Sequence, residues 1–186
     1  MVDQEKVQEA VASIIEALGD DPEREGLKDT PRRVAQMYAE LFSGIDQDPA
    51  KVLATGFDET HEEMVVFRGI PFSSICEHHL VPFFGSAAIG YVPNGRVVGI
   101  SKLARALDIL AHRPQLQERL TRQIVDAIFE TVKPKGVAVR LTGQHMCMSI
   151  RGVRKPGSQV VTSAARGTLK THEPTIREFH ALLGDR

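Results

Sequence analysis

The sequence predicts an α+β fold in which helices come first and an antiparallel sheet with an inserted helical pair follows. Three observations predict it. Before residue 45, two segments repeat apolar residues at helical spacing. From residue 64 onward, short apolar runs are bounded by Gly and Pro, the pattern of strands and turns. Between two such groups of runs, helical spacing returns across residues 101–131.

Residues 3–18 form the first amphipathic helix, with Asp3 as its cap and Val7, Ala10, Val11, Ile14, Ile15 and Leu18 as its apolar stripe. Gly19 ends it. Asp20 to Lys28 is a charged connector. Thr30-Pro31 opens the second helix, Thr30 as cap and Pro31 in the first turn, and Gly44 closes it after Val34, Met37, Tyr38, Leu41 and Phe42. Met64 to Phe67 is a short strand. Phe83 to Val92 is a longer one; Pro93-Asn94-Gly95 is a hairpin turn, and Val97 to Ile100 is the returning strand. Ser101 caps the next helix, whose stripe is Leu103, Ala106, Leu107 and Leu110. Pro114 interrupts that helix and opens another, Gln115 to Thr131. Gly136 to Thr142 is a strand, open to extension through Cys147. Gln159 to Ala164 is a further strand, and Glu173 to Leu183 a terminal helix. With no internal repeat, low-complexity stretch or long linker, the chain reads as one domain.

The 186 residues suffice for a real core, and 42% hydrophobic with 25% charged residues is ordinary for a globular protein. A net charge of −1 gives no global attraction to nucleic acid or an anionic membrane. The first residues lack the basic-then-apolar order of a signal peptide, and no apolar run reaches the roughly 18 residues of a membrane span. Two cysteines make no disulfide framework. The expectation is a cytoplasmic, reduced protein whose thiolates stay available to a metal.

Both cysteines stand beside histidine, in Cys76-Glu77-His78-His79 and His145-Met146-Cys147. Cys76, His79 and Cys147 make a Cys₂His set, and three protein ligands suit a catalytic zinc with one position open to water. A lone Cys is more often simply buried, but clustering with three histidines favours the metal. If residues 140–148 are extended, His145 and Cys147 share a face. Cys76 and His79 have opposite parity, so the chain between them turns or bulges. Zinc brings the pKa of a bound water to roughly 7, and His78 or His145 can handle protons beside it. Hydrolysis of a C–N bond fits this equipment. Lys102 and Arg105 share a helix face, and Arg151, Arg154 and Lys155 follow Cys147; guanidinium forks match phosphate oxygens. Gln117-Glu118 offers a carboxylate, which accepts two parallel hydrogen bonds of the kind guanine donates from N1 and its exocyclic amine.

These segments, with Cys76 to Phe83, Gly99 to Arg105, Gln115 to Thr121, His145 to Met148, Arg151 to Lys155 and Thr30 to Ala35 in order, closely resemble GTP cyclohydrolase I across roughly residues 5–183. The resemblance implies the tunnelling fold, in which small sheet units associate into a barrel. It divides the single domain into a helical region, 1–60, and a catalytic core, 61–186. It implies a homodecamer of two pentamers with active sites at subunit interfaces, and conversion of GTP and water to 7,8-dihydroneopterin triphosphate and formate, the entry to folate and other pterins. Matched by position, it implies that Cys76, His79 and Cys147 hold zinc and that His78 and His145 are the acid–base pair. It implies further that Glu118 with Gln117 grips guanine, that Ser101 lies near the ribose, and that Lys102, Arg105 and Arg151 hold the triphosphate. Arg33 adds a phosphate contact from a neighbouring subunit. Gly143-Gln144 is a less familiar variant at the pocket rim. The short N-terminus resembles bacterial-type members, so no regulatory partner protein is expected.

Two other readings compete. A purine deaminase would carry a Cys-x-x-Cys pattern that this chain lacks. A non-catalytic purine or pterin binder on the same fold would not need the spare pair His78 and His145.

Overall fold

The computed structural model describes residues 1–184. Helix α1 (Gln4–Ala17) is capped as expected: the Asp3 carboxylate accepts from the Lys6 backbone N–H at 3.2 Å. Helix α2 (Thr30–Leu41) starts one residue earlier than expected, because Asp29 holds the cap position and Thr30 is already helical. These two helices pack chiefly on each other. A third, short helix α3 (Pro49–Leu53) and strand β1 (Gly56–Asp58) were not expected. Leu53 is buried and α3 packs on the central helices.

Strand β2 (Val65–Cys76) is far longer than the four residues read from the sequence. Gly69 and Pro71 disguise it. Its register shifts between Phe67 and Ile70, where Gly69 has φ 71°, a bulge that lets the strand continue. At Pro71 the strand pairs with β3 (Pro82–Val92) alone, an edge position of the kind that tolerates a residue without an N–H. The turn at Pro93-Asn94-Gly95 forms, but the returning strand β4 (Arg96–Val98) does not pair with β3. It pairs antiparallel with β1 in a separate two-stranded sheet, while the Tyr91 hydroxyl accepts from the Val98 N–H at 3.1 Å.

Helix α4 (Ile100–Ala111) is capped by Gly99 with no side-chain bond, so Ser101 lies within the first turn instead of capping it. Pro114 does not open a helix. It belongs to a two-residue strand, β5 (Pro114–Gln115), parallel to the end of β2, and helix α5 (Gln117–Val132) follows. Strand β6 (Gly136–His145) stops at His145 and gives way to a one-turn helix, α6 (Met146–Ser149). Strand β7 (Val160–Gly167), the short helix α7 (Thr168–Thr171) and helix α8 (Glu173–Leu183) complete the described chain.

The main sheet runs β5-β2-β3-β6-β7, antiparallel except for β5. Period-two alternation decides what each face covers. On β6, Val137, Val139 and Leu141 are fully buried among Leu103, Leu107, Leu120 and Ile124 of α4 and α5. Ala138 points the other way, to Leu169 and Phe179. The expected α+β architecture is therefore present. Beside the site, β3 and β6 approach closely where Gly85 pairs with Gly143: a Cβ on Gly85 would lie 1.9 Å from the Thr142 carbonyl oxygen. That register sets Phe83 opposite His145.

Candidate metal centre and substrate site

Cys76 ends β2, and the next four residues form the turn that its parity with His79 demanded. The Cys76 carbonyl accepts from the Leu80 N–H at 2.9 Å, and Leu80 takes φ 52° to complete the reversal. This brings Cys76 Sγ to 3.9 Å from His79 Nδ1. Cys147 arrives from the end of β6, on α6. One ligand atom each from Cys76, His79 and Cys147 lies within 4.8 Å of the others. Cys76 is buried, Cys147 is half-buried and His79 is exposed, so the set opens to solvent on one side. Burial and the neighbouring Cys76 push the Cys147 thiol up, against a smaller opposing pull from Arg151. Two thiolate donors with one imidazole are a soft, tetrahedral-type donor set, and the residues present fit zinc with a position to spare.

The expected strand face shared by His145 and Cys147 is not formed. The chain leaves the extended conformation at His145, and the helical turn of α6 swings Cys147 toward Cys76. His145 keeps its strand orientation. Its ring stacks on Phe83 at 4.7 Å and 3°, and its Nε2 lies 2.8 Å from Gln117 Oε1. Burial lowers the His145 pKa, with the Glu118 carboxylate pulling the other way. His78 is exposed, 3.8 Å from Glu77 and edge-on to the His79 ring at 6.2 Å.

Gln117 and Glu118 part company. Glu118 is exposed in the first turn of α5, where the helix dipole favours a carboxylate. Gln117 is only 1% exposed, and both ends of its carboxamide are taken by protein partners. The first turn of α5 points the Gln117 side chain under β6 and β7.

Sequence reasoning overlooked Arg119. Its guanidinium forks onto Glu77, with Nη2 donating to Oε1 at 3.0 Å and Nη1 to Oε2. The fork depresses the Glu77 pKa and ties the Cys76–His79 turn to α5. Nothing in the sequence shows this pair until β5 is known to run beside β2, where the Glu77 N–H donates to the Gln115 carbonyl at 3.1 Å. Arg119→Met is expected to loosen the turn between two ligands and weaken zinc binding by about tenfold or more, the usual scale for groups that orient ligands. A chelator-competition titration measures it; unchanged affinity removes the bracing role. Because Glu77 is depressed, its contribution is present above the ordinary carboxylate pKa and is lost as pH falls through the lowered value.

Arg151 stands at the metal set, with Nη1 3.4 Å from His79 Nε2. The other cations do not. Ser74 donates to the Ala111 carbonyl at 2.6 Å, which fixes the C-terminal end of α4 beside Cys76. Ser101 and Lys102 lie at the opposite end of α4, about 15 Å away along the axis at 1.5 Å per residue, and Arg105 is about 9 Å from that end. Among the described residues, no hydrogen bond or ion pair joins Ser101, Lys102 or Arg105 to the metal set. Arg33 pairs with Asp29 at 3.5 Å on the exposed side of α2.

A family model described as GTP cyclohydrolase I matches residues 7–184. A protein of Halalkalibacterium halodurans named GTP cyclohydrolase 1 is 60% identical over 183 residues, 98% of this chain and 97% of that one. A Dehalococcoides mccartyi protein of the same name is 56% identical over 185 residues, 98% of each chain. Among solved structures, the archaeosine synthase QueF-Like in the apo form is 18% identical, covers 56% of this chain and 93% of that one, and has a TM-score of 0.45. So loose a likeness carries no argument.

Proposed function

The chain belongs to the GTP cyclohydrolase I family, and from that premise we propose that it converts GTP and water to 7,8-dihydroneopterin triphosphate and formate, the entry step to folate and other pterins. The observation that carries the reading is the convergence of Cys76, His79 and Cys147 within 4.8 Å, with the His145 ring stacked on Phe83 two residues before Cys147.

Cys76, His79 and Cys147 would hold zinc. Bound there, the metal supplies Lewis acidity and brings the pKa of a bound water to about 7. Glu118 accepts from guanine N1–H and the exocyclic amine, which sets C8 of the base toward the metal end of the pocket. The half-buried His145 and the exposed His78 carry protons to and from the imidazole nitrogens as the C8–N bonds break. Phe83 stiffens the His145 ring, and half-burial there limits access of bulk water. Arg151 holds phosphate oxygens from the metal side. Two waters enter, one to open the ring and one to release formate; closure of the pterin ring returns one, so the net reaction consumes one water.

Ser101, at the ribose, and Lys102 and Arg105, on the triphosphate, lie too far along α4 to serve the metal set of their own chain. We assign them to the site of an adjacent subunit, with Arg33 as a further contributed cation. A ring-built homodecamer on the tunnelling fold, with sites at the interfaces, satisfies this division. Residues 1–186 then act as one unit, the helical hairpin of α1 and α2 attached to a catalytic core. Among the described residues no helix is long and apolar enough to cross a membrane.

The test is to mix zinc-loaded protein with GTP and follow formate together with the absorbance and fluorescence of a pterin. Both products establish the activity. Ammonia in place of formate, or no product with zinc confirmed bound, overturns it. Glu118→Gln is expected to raise KM for GTP by about 10- to 100-fold, the cost of about 1–3 kcal/mol when one acceptor in a bidentate pair becomes a donor, with zinc content unchanged. An unchanged KM removes Glu118 from guanine recognition.

A further inference from the structure

We propose that Gln117 is a positioning residue: its carboxamide fixes His145 as the Nε2–H tautomer and leaves Nδ1 as the nitrogen that trades protons with substrate. The inference rests on the reading of His145 as a proton carrier, but the arrangement itself is independent of any substrate.

The hydrogen-bond directions around Gln117 admit one solution. Its Nε2 faces the Leu141 carbonyl at 3.2 Å, the Val160 carbonyl at 2.9 Å and Thr162 Oγ1 at 3.1 Å. Backbone carbonyls only accept, so the end of the carboxamide that faces them must be the NH₂. This settles the orientation of an amide that could otherwise be flipped. The threonines agree. Thr121 Oγ1 donates to the Gln117 carbonyl at 2.7 Å, which spends its only hydrogen. The 2.7 Å contact between Thr121 and Thr162 must then be donated by Thr162, whose oxygen is left to accept from Gln117. The two amide hydrogens face three acceptors, so one of them is shared, while each threonine hydrogen has a single acceptor.

Gln117 Oε1 is therefore the atom that meets His145 Nε2 at 2.8 Å. An amide oxygen only accepts, so Nε2 must carry the hydrogen, and the lone pair of the neutral ring sits on Nδ1. Phe83 fixes the remaining freedom by stacking on the ring at 4.7 Å and 3°. Gly143 leaves the space: a Cβ there would lie 2.6 Å from Gln117 Oε1. A buried side chain with four polar partners, at the first position of α5 beside Glu118, thus links the proton carrier to β6 and β7 at once.

The test uses zinc-loaded protein with ¹⁵N-labelled histidine rings, without GTP, at about pH 8, above the usual histidine range. The His145 signals are identified by their absence in His145→Ala. The expected wild-type spectrum has a protonated Nε2 and a lone-pair Nδ1. Gln117→Met, of similar size but without an acceptor, is expected to give a mixture of tautomers. It should also lower kcat about tenfold or more, with KM for GTP within about twofold and zinc content unchanged. Gln117→Glu keeps an acceptor against Nε2 in either protonation state and is expected to restore the Nε2–H spectrum. A protonated Nδ1 in the wild type overturns the proposal without any variant. So does a Gln117→Met spectrum identical to the wild type, or a raised KM with kcat intact, which would mean contact with substrate instead. A correct spectrum in a protein that never turns over GTP would retire the proposed activity and leave the tautomer assignment standing.

Discussion

Cys147→Ala is expected to yield a folded protein that loses tight zinc binding and turns GTP over at about a thousandth of the parent rate or less. The fold survives because Cys147 lies half-buried on the single turn of α6, outside the fully buried core around Leu103, Leu107, Leu120 and Ile124. The activity does not survive because two donors remain where three are needed. A metal that polarises a reacting oxygen is worth several kcal/mol of barrier, and each 1.36 kcal/mol is about tenfold in rate. Zinc per subunit by atomic absorption, circular dichroism and formate release from GTP measure the three outcomes separately. Stoichiometric zinc with full activity would take Cys147 out of the ligand set.

His145→Ala is expected to separate chemistry from metal. His145 lies outside the Cys76–His79–Cys147 trio and is held by Gln117 and Phe83. Zinc content should therefore stay at the parent level, while single-turnover formate release falls about 10²- to 10⁴-fold, the range for a lost general acid–base group. The change also leaves Gln117 Oε1 buried without a donor, at a cost of about 1–3 kcal/mol in stability. A lower melting temperature is part of the expectation. Loss of zinc together with activity would make His145 a ligand, and an unchanged rate would remove it from the reaction.

What the sequence made legible follows from the range of each signal. The long helices were readable because their apolar stripes repeat within one element: Leu103, Ala106, Leu107 and Leu110 are all buried in α4 as the spacing requires. The turn after Cys76 was readable because opposite strand parity cannot aim two ligands at one point. Features that depend on partners far along the chain were not. Val97 and Val98 look like the second arm of a hairpin, yet they pair with Gly56 and Phe57. Pro114 looks like a helix start, yet β2 captures it as a strand. The change from strand to helix at Met146 leaves no mark in the sequence, because Met and Cys suit either state, and that change directs Cys147 toward Cys76 and His79. Gln117 and Glu118 are adjacent in the sequence and point to different environments, a distinction that only the packing of α5 under β6 and β7 makes.

The length of α4 has a consequence of its own. With Ala111 held by Ser74 near Cys76 and Ser101 at the far end, α4 separates the Cys76–His79–Cys147 set from Ser101, Lys102 and Arg105. Under the proposed assembly no chain owns a complete site. Each gives its metal half to one pocket and its cationic half to the next, so a single defective subunit in a ring silences two pockets when both its halves fail and one when only one does. Damage is then counted by shared borders, and the penalty for incorporating a faulty chain depends on which flank carries the fault.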